Sequence, residues 1–193
     1  MKGFIMTIKK ISLLIVLSLF TACGNVESSV VSNSTVFHKT ENRDILNAIN
    51  LARSVPRDCN DGLGVVGPSR PLVWNDNLYA SAYEHSKDLA QSNTFSHLGS
   101  GTETDITGMK SGERQSKFFE RIENNGYVNF YTVGENIAGG QTTVKEVMKA
   151  WLESPKHCTN IMNDKFKEVG VAIVTKKDSD FKIYWTQNFG GKR

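Results

Sequence analysis

The end of the chain sets the terms for the fold. Glu168 to Lys176 carries the run Val169-Gly-Val-Ala-Ile-Val174, and Phe181, Ile183, Trp185 and Phe189 alternate with Lys182, Tyr184, Thr186 and Asn188. A period of two with β-branched and aromatic residues is a strand signal, and the polar stretch Lys176 to Asp180 turns the two runs into a hairpin. Everything before it has a helical period. Ile45, Ala48, Ile49 and Ala52 recur at steps of three and four from Glu41, until Val55-Pro56 ends the helix. Asn75-Asp76 caps a second helix to about Ser92, with Leu78, Ala82, His85 and Leu89 on one stripe. A third spans about Glu113 to Asn124, burying Phe118, Phe119 and Ile122 and capped by Asn125-Gly126. Thr143 and Glu146 have capping-box spacing for a fourth, whose Val144, Val147, Met148, Trp151 and Leu152 face a core. Helices first and an antiparallel sheet last predict an α+β domain, a three-layer α-β-α sandwich. Hydrophobic residues at 39% and charged at 22%, with 16 Gly and 4 Pro, exclude a collagenous or low-complexity chain.

The first 22 residues do not belong to that domain. Lys2, Lys9 and Lys10 precede the apolar run Ile11 to Phe20 and the small residues Thr21-Ala22, the arrangement of an export signal; the run is too short to span a bilayer. The exit ends in Cys23 and resembles a bacterial lipobox, with Phe20 where Leu is usual. The resemblance implies a diacylglycerol on Cys23, each buried methylene worth about 0.8 kcal/mol of membrane anchoring; the alternative is an ordinary secretory signal and a soluble product. Gly24 follows where an Asp would favour inner-membrane retention, which opens outer-membrane sorting, and the lipid anchor makes the bacterial cell envelope the expected location. Residues 23–40 read as a tether and residues 41–193 as one domain. The formal charge of +3 comes from the export signal: it holds three Lys and no acid, so 20 basic residues then face 20 acidic ones. The case for a nucleic-acid partner goes with it.

The chemistry-bearing candidates are few. His38 lies in the tether, and His85 sits on an apolar helical stripe, where hydrogen-bonded packing is its expected role. His97 opens the polar loop Ser96 to Ser111, His157 follows Ser154-Pro155 at the start of a short helix, and Glu135 lies between glycines in a strand-like segment. Imidazole and carboxylate are suitable donors for zinc and similar ions, but no local metal signature joins these three. Cys59 and Cys158, in an exported chain, are most simply a disulfide, with two buried free thiols as the alternative.

Phe95-Ser-His97, Gly134-Glu-Asn-Ile-Ala138, Trp151 to Met162, Phe166-Lys-Glu-Val-Gly-Val171 and Tyr184-Trp-Thr-Gln-Asn-Phe-Gly190 resemble, in order, the motifs of the CAP superfamily of cysteine-rich secretory, antigen and pathogenesis-related proteins. The similarity runs from about Glu41 to Gly190. It implies an α-β-α sandwich with a cleft lined by two His and two Glu, which in some members binds a divalent metal. Position by position, His97, Glu135 and His157 match three of the four. The fourth place is Ser154, and Glu153, one step earlier, is turned by about 100° on a helix. Bacterial members of the family often carry cysteines where Cys59 and Cys158 stand. The cleft set is completed by Glu153, Asn136 and Gln187, the last sharing a strand face with Trp185 and Phe189. His97, Glu135 and His157 form the expected metal set, with zinc as the expected kind of ion.

The expected function is a non-enzymatic binding or interaction module of the envelope, anchored through Cys23, with a lipid, sterol-like molecule, peptide or envelope glycan as ligand. The alternative is a metal-assisted or serine hydrolase using the same cleft, since Ser154 and His157 are spaced i, i+3 and Ser96 adjoins His97. Ser154 before Pro155 reads better as a helix N-cap, and neighbours in an extended chain point apart. A third reading makes the polar cleft only a stabilising network.

Overall fold

The computed structural model describes residues 42–192 apart from residue 113; the export segment, Cys23 and the tether lie outside the described residues. The first helix, α1, spans residues 42–53. It is followed by β1 (Arg57–Asp58), β2 (Val65–Val66), β3 (Val73–Trp74), α2 (Asp76–Ser92), α3 (Ile106–Lys110) and α4 (Phe118–Asn124). Then come β4 (Phe130–Gly139), α5 (Val144–Glu153), α6 (Pro155–Met162), β5 (Glu168–Thr175) and β6 (Ile183–Lys192). The main sheet has the order β3-β5-β6-β4, so β4 is an edge. The expected hairpin is β5·β6, with Val169 opposite Phe189 and Thr175 opposite Ile183. The sheet is antiparallel apart from β3, where Leu72-Val-Trp74 supplies a two-residue parallel strand against β5.

Two helical layers cover the sheet. On one face, Trp185, Phe189, Val169 and Val171 pack with Ile45 and Ile49 of α1, Val147 and Trp151 of α5, and Ile161 of α6. Trp151 and Trp185 meet edge-on, 6.4 Å between centroids. On the other face lies α2, whose Leu78, Ala82 and Leu89 are fully buried. Its ends hold as expected: the Asn75 side chain accepts from the N–H of Asn77 and Leu78, and Asn93, at φ 55°, closes the C-terminus in the left-handed region. Ser86 and Ser81 hydrogen-bond Thr186 and Asn188 across the α2–sheet interface. The approach there is close because Gly170 has no side chain; a Cβ would run into the backbone of Leu78 and Tyr79. The resulting α-β-α sandwich is the expected class.

Four local expectations change. The third helix begins at Phe118, not near Glu113, because residues 114–117 are held extended: Asp105 accepts from the Ser116 N–H and hydroxyl, and Glu120 accepts from the Lys117 N–H. Phe119, expected in the core, is 37% exposed, while Ile122 is fully buried. The polar loop from Ser96 to Ser111 contains α3, capped by Asp105, which accepts from the Gly108 N–H. At α5 the Thr143 hydroxyl caps Glu146 N–H, but Glu146 reaches back to Thr142 rather than Thr143. Cys59 and Cys158 form the disulfide, across 99 residues with Cα atoms 5.5 Å apart, and tie the loop after α1 to α6.

Candidate functional site

The site is built around the edge strand. Side chains of β4 alternate: Glu135, opposite Asn188, faces the α2 layer, and Asn136, opposite Gln187, faces the α6 layer. Edge carbonyls would be left open to pairing, and α5 and α6 close them: Asn160 Nδ2 donates to the Glu135 carbonyl and Trp151 Nε1 to that of Ile137. The cleft candidates therefore converge from both faces onto one strand edge.

On the α2 side, Glu135 has a side chain only 1% exposed and is fully engaged. Arg121, from α4 and equally buried, donates through Nη2 to Oε1 at 3.2 Å and Oε2 at 3.0 Å. His97 Nδ1 lies 3.0 Å from Oε1. Asn188, oriented so that its oxygen accepts from the Ala82 N–H and Ser81 hydroxyl, donates to Oε2 at 3.2 Å. His85, from α2, sits 3.8 Å from Oε1. Burial alone would push the Glu135 carboxyl up, but the charges around it and the hydrogen bonds from His97 and Arg121 hold it at about 2. Burial drives His85 itself down to about 4, so at neutral pH it is uncharged and Arg121 carries the pairing. Its Nε2–H donates to the Ser96 carbonyl at 2.9 Å, and its Nδ1 is buried without a hydrogen-bond partner.

A carboxylate only accepts, so His97 donates from Nδ1 and keeps its lone pair on Nε2. The ring is half exposed, with 51% of its side chain accessible. His157 stands across the strand edge at the start of α6, where its carbonyl accepts from Asn136 Nδ2 at 3.2 Å. Burial pushes its imidazole below the ordinary value, and the charge of His97 pushes it the same way. Asn136 also donates to Gln187 Oε1 at 2.9 Å and accepts from Asn160 at 2.9 Å; the Nε2 of the fully buried Gln187 has no hydrogen-bond partner.

His97 and Glu135 are thus in direct contact, while Asn136, Gln187 and the His157 backbone form a second network beneath the strand edge. Glu153 does not join them. Its carboxylate is on the outer face of α5, 2.6 Å from Lys149 one turn earlier, as the 100° offset dictates. Ser154 occupies the N-cap position of α6 without a side-chain capping bond, and among the described residues no Ser, Thr or Cys side chain hydrogen-bonds to the imidazole of His97 or His157. Glu135 has both oxygens committed to protein donors, and among the described residues no group of three or more His, Cys, Asp or Glu side chains is arranged to hold a metal ion. Two further members of the site, His85 and Arg121, lie outside the expected set. His85 is legible as a hydrogen-bonded core histidine, whereas Arg121, next to Ile122 on a short helix, gives no signal in sequence.

Comparison with known proteins agrees with this architecture. The family described as "CAP: Cysteine-rich secretory protein family" matches residues 46–189. Two curated relatives come from Bacillus subtilis (strain 168): "Uncharacterized protein YkwD", 34% identical over 123 residues, and "Uncharacterized membrane protein YlbC", 28% identical over 118. The alignments cover 64% and 61% of this chain but only 40% and 28% of those proteins. An extracellular protein containing a SCP domain from Bacillus anthracis str. Ames shares the fold with a TM-score of 0.57 at 24% identity, covering 80% of this chain and 41% of that one. An outer surface protein from Borrelia burgdorferi does so with a TM-score of 0.52 at 22% identity, covering 65% and 80%.

Proposed function

The chain belongs to the cysteine-rich secretory protein family, and on that premise we propose that it is an exported, non-enzymatic binding module of the bacterial cell envelope, held at a membrane through a lipidated Cys23. The observation that carries the reading is the state of Glu135. Its carboxylate is spent on Arg121, His97 and Asn188, so it orients His97 rather than acting itself. What reaches solvent is the Nε2 of a half-exposed imidazole, whose charge acts on His157 across the strand edge. The pair offers imidazole lone pairs and aromatic edges to a ligand, but among the described residues no nucleophile is hydrogen-bonded to either ring, and nucleophilic catalysis needs that pairing. No helix among the described residues is long and apolar enough to cross a membrane, so membrane attachment in this reading falls to Cys23.

The oriented His97–Glu135 pair favours a second reading, a hydrolase in which His97 serves as general base. Substituting His97 and His157 with Ala separates the two. A broad screen of esterase, peptidase and glycosidase substrates is expected to give no turnover that depends on either histidine; a turnover abolished by H97A would refute the module reading. Cys23→Ser is expected to move the protein from the membrane fraction to the soluble exported fraction, and unchanged membrane recovery would refute the lipid anchor.

A further inference from the structure

A groove runs along the outer face of α2, on the far side of that helix from the sheet. It encloses ≈ 550 Å³ and continues into a second hollow of ≈ 290 Å³ that shares Lys87 and Ile106 with it. Its floor is the stripe Tyr79, Tyr83, Lys87 and Gln91, spaced four residues apart. At 1.5 Å per residue the twelve steps from Tyr79 to Gln91 extend for roughly 18 Å. Ile106 and Lys110 of α3 and Asn124 and Asn125 at the end of α4 form the opposite wall.

The groove is built rather than incidental. Glu84, 8% exposed, accepts from the Thr107 N–H at 2.9 Å and from Asn125 Nδ2 at 2.6 Å, fixing both walls to α2 and turning its own charge inward. The other charged residues that line the two hollows are Lys87, Lys110 and, in the second hollow, Glu103. Lys87 has no ion pair among the described residues, and Lys110 meets only the amide oxygen of Asn124, at 3.4 Å. The Tyr79 and Tyr83 rings lie nearly parallel, 27° apart with centroids 6.3 Å apart, and Tyr83 is 45% exposed. Trp74 extends the row beyond Tyr79, 5.8 Å away.

We infer that this groove binds an extended anionic polysaccharide, its sugar faces stacking on Tyr79 and Tyr83 and its carboxylate or phosphate groups meeting Lys87 and Lys110. A pyranose ring has an apolar C–H face and a hydroxyl edge, which suits aromatic faces flanked by planar amides. A helical peptide docks through apolar anchors in deep pockets; apart from the two rings, the apolar lining here is Ile106 and Ala80. Five of the nine residues lining the larger hollow, Glu84, Lys87, Lys110, Asn124 and Asn125, are charged or carry an amide, which suits the hydroxyl-rich edge of a sugar chain. The inference rests on the reading of the chain as an envelope binding module, and supplies its ligand class at a site distinct from the histidine cleft.

The test is affinity electrophoresis and calorimetry of the full chain in mild detergent, with polygalacturonate, neutral dextran and polyglutamate as probes. Saturable binding of polygalacturonate is expected, tighter than of dextran or polyglutamate. Y83A and K87A should each weaken it about tenfold, the size of an aromatic or charged anchor at an interface; Y83F should retain it, and thermal unfolding controls for folding. No binding of polygalacturonate, or equal binding by Y83A, would overturn the proposal. Equal or tighter binding of polyglutamate would assign the groove to acidic peptides and overturn it as well. H97A should bind polygalacturonate normally, so a histidine-dependent turnover could refute the module reading while the Y83A result still decides the groove.

Discussion

Arg121 offers the sharpest test of how the site is held. Its guanidinium and the Glu135 carboxylate are each 1% exposed, so neither can be rescued by solvent. Besides the two bonds to Glu135, Arg121 donates to the His97 carbonyl at 2.9 Å and, through Nη1, to the Ser116 carbonyl at 3.1 Å and hydroxyl at 3.0 Å. Arg121→Met keeps the stem and removes the charge and those donors. Losing one partner of a buried ion pair costs about 3 to 5 kcal/mol, mostly because the other charge remains buried and unpaired. Urea unfolding at pH 7, with the disulfide intact and the buried Trp151 and Trp185 as fluorescence probes, should show that loss as a lower midpoint at constant slope. The double variant Arg121→Met/Glu135→Leu should be more stable than the sum of the two single losses by about 1 to 3 kcal/mol, the coupling of residues in one network. Acid should also narrow the gap between Arg121→Met and the parent. Without Arg121 the variant can take up a proton on Glu135 or His85, and either neutralises the cluster; in the parent, the depressed Glu135 contributes fully above the ordinary carboxyl value of 4.5 and loses that contribution progressively as pH falls from there through about 2. A loss below about 1 kcal/mol at pH 7, or additive single losses, would refute the ion-pair account.

Two further outcomes follow from the same packing. His85 titrates near 4 in the folded chain against 6.5 when free, so the unfolded state binds the extra proton between these values and stability falls as pH drops from 6.5 towards 4, by at most about 3 kcal/mol. His85→Gln should flatten that part of the stability curve, leaving the smaller same-direction contribution of His157; an unchanged slope would show that His85 is not buried neutral. Replacing both Cys59 and Cys158 with Ala should cost roughly 4 to 5 kcal/mol through loop-closure entropy, read by urea unfolding of oxidised parent against variant, and a loss below about 1 kcal/mol would show that the cross-link constrains little.

Much of this is legible in the amino-acid pattern. The β5·β6 hairpin, the α2 stripe with its Asn75 cap, and the Thr143 cap of α5 are local patterns, and local patterns survive folding when tertiary packing agrees with them. The start of α4 falls later than its pattern predicts because Asp105, from an earlier loop, takes the Ser116 N–H and hydroxyl and outcompetes helical propensity at residues 114–117. Glu153 can be placed by helix geometry alone, and its pairing with Lys149 is the outward position that the 100° step assigns. Arg121 cannot be placed, since its role depends on β4, fourteen residues later in sequence, arriving beside α4.

The chemistry of the site depends on β4 being an edge. In a strand paired on both sides, Glu135 and Asn136 would serve two separate cores, because adjacent residues point to opposite faces. At an edge the two faces meet, and residues from α2, α4, the loop after α2 and α6 can all reach one short stretch of backbone. This explains why the charge of His97 acts on His157 although the two belong to different helical layers, and why the sequence order His97, Glu135, His157 carries no local spacing rule. It also fixes what Glu135 can do. The buried charge of Glu135 must be neutralised from within, and Arg121 does this, leaving His97 oriented and half exposed while the carboxylate behind it stays out of reach.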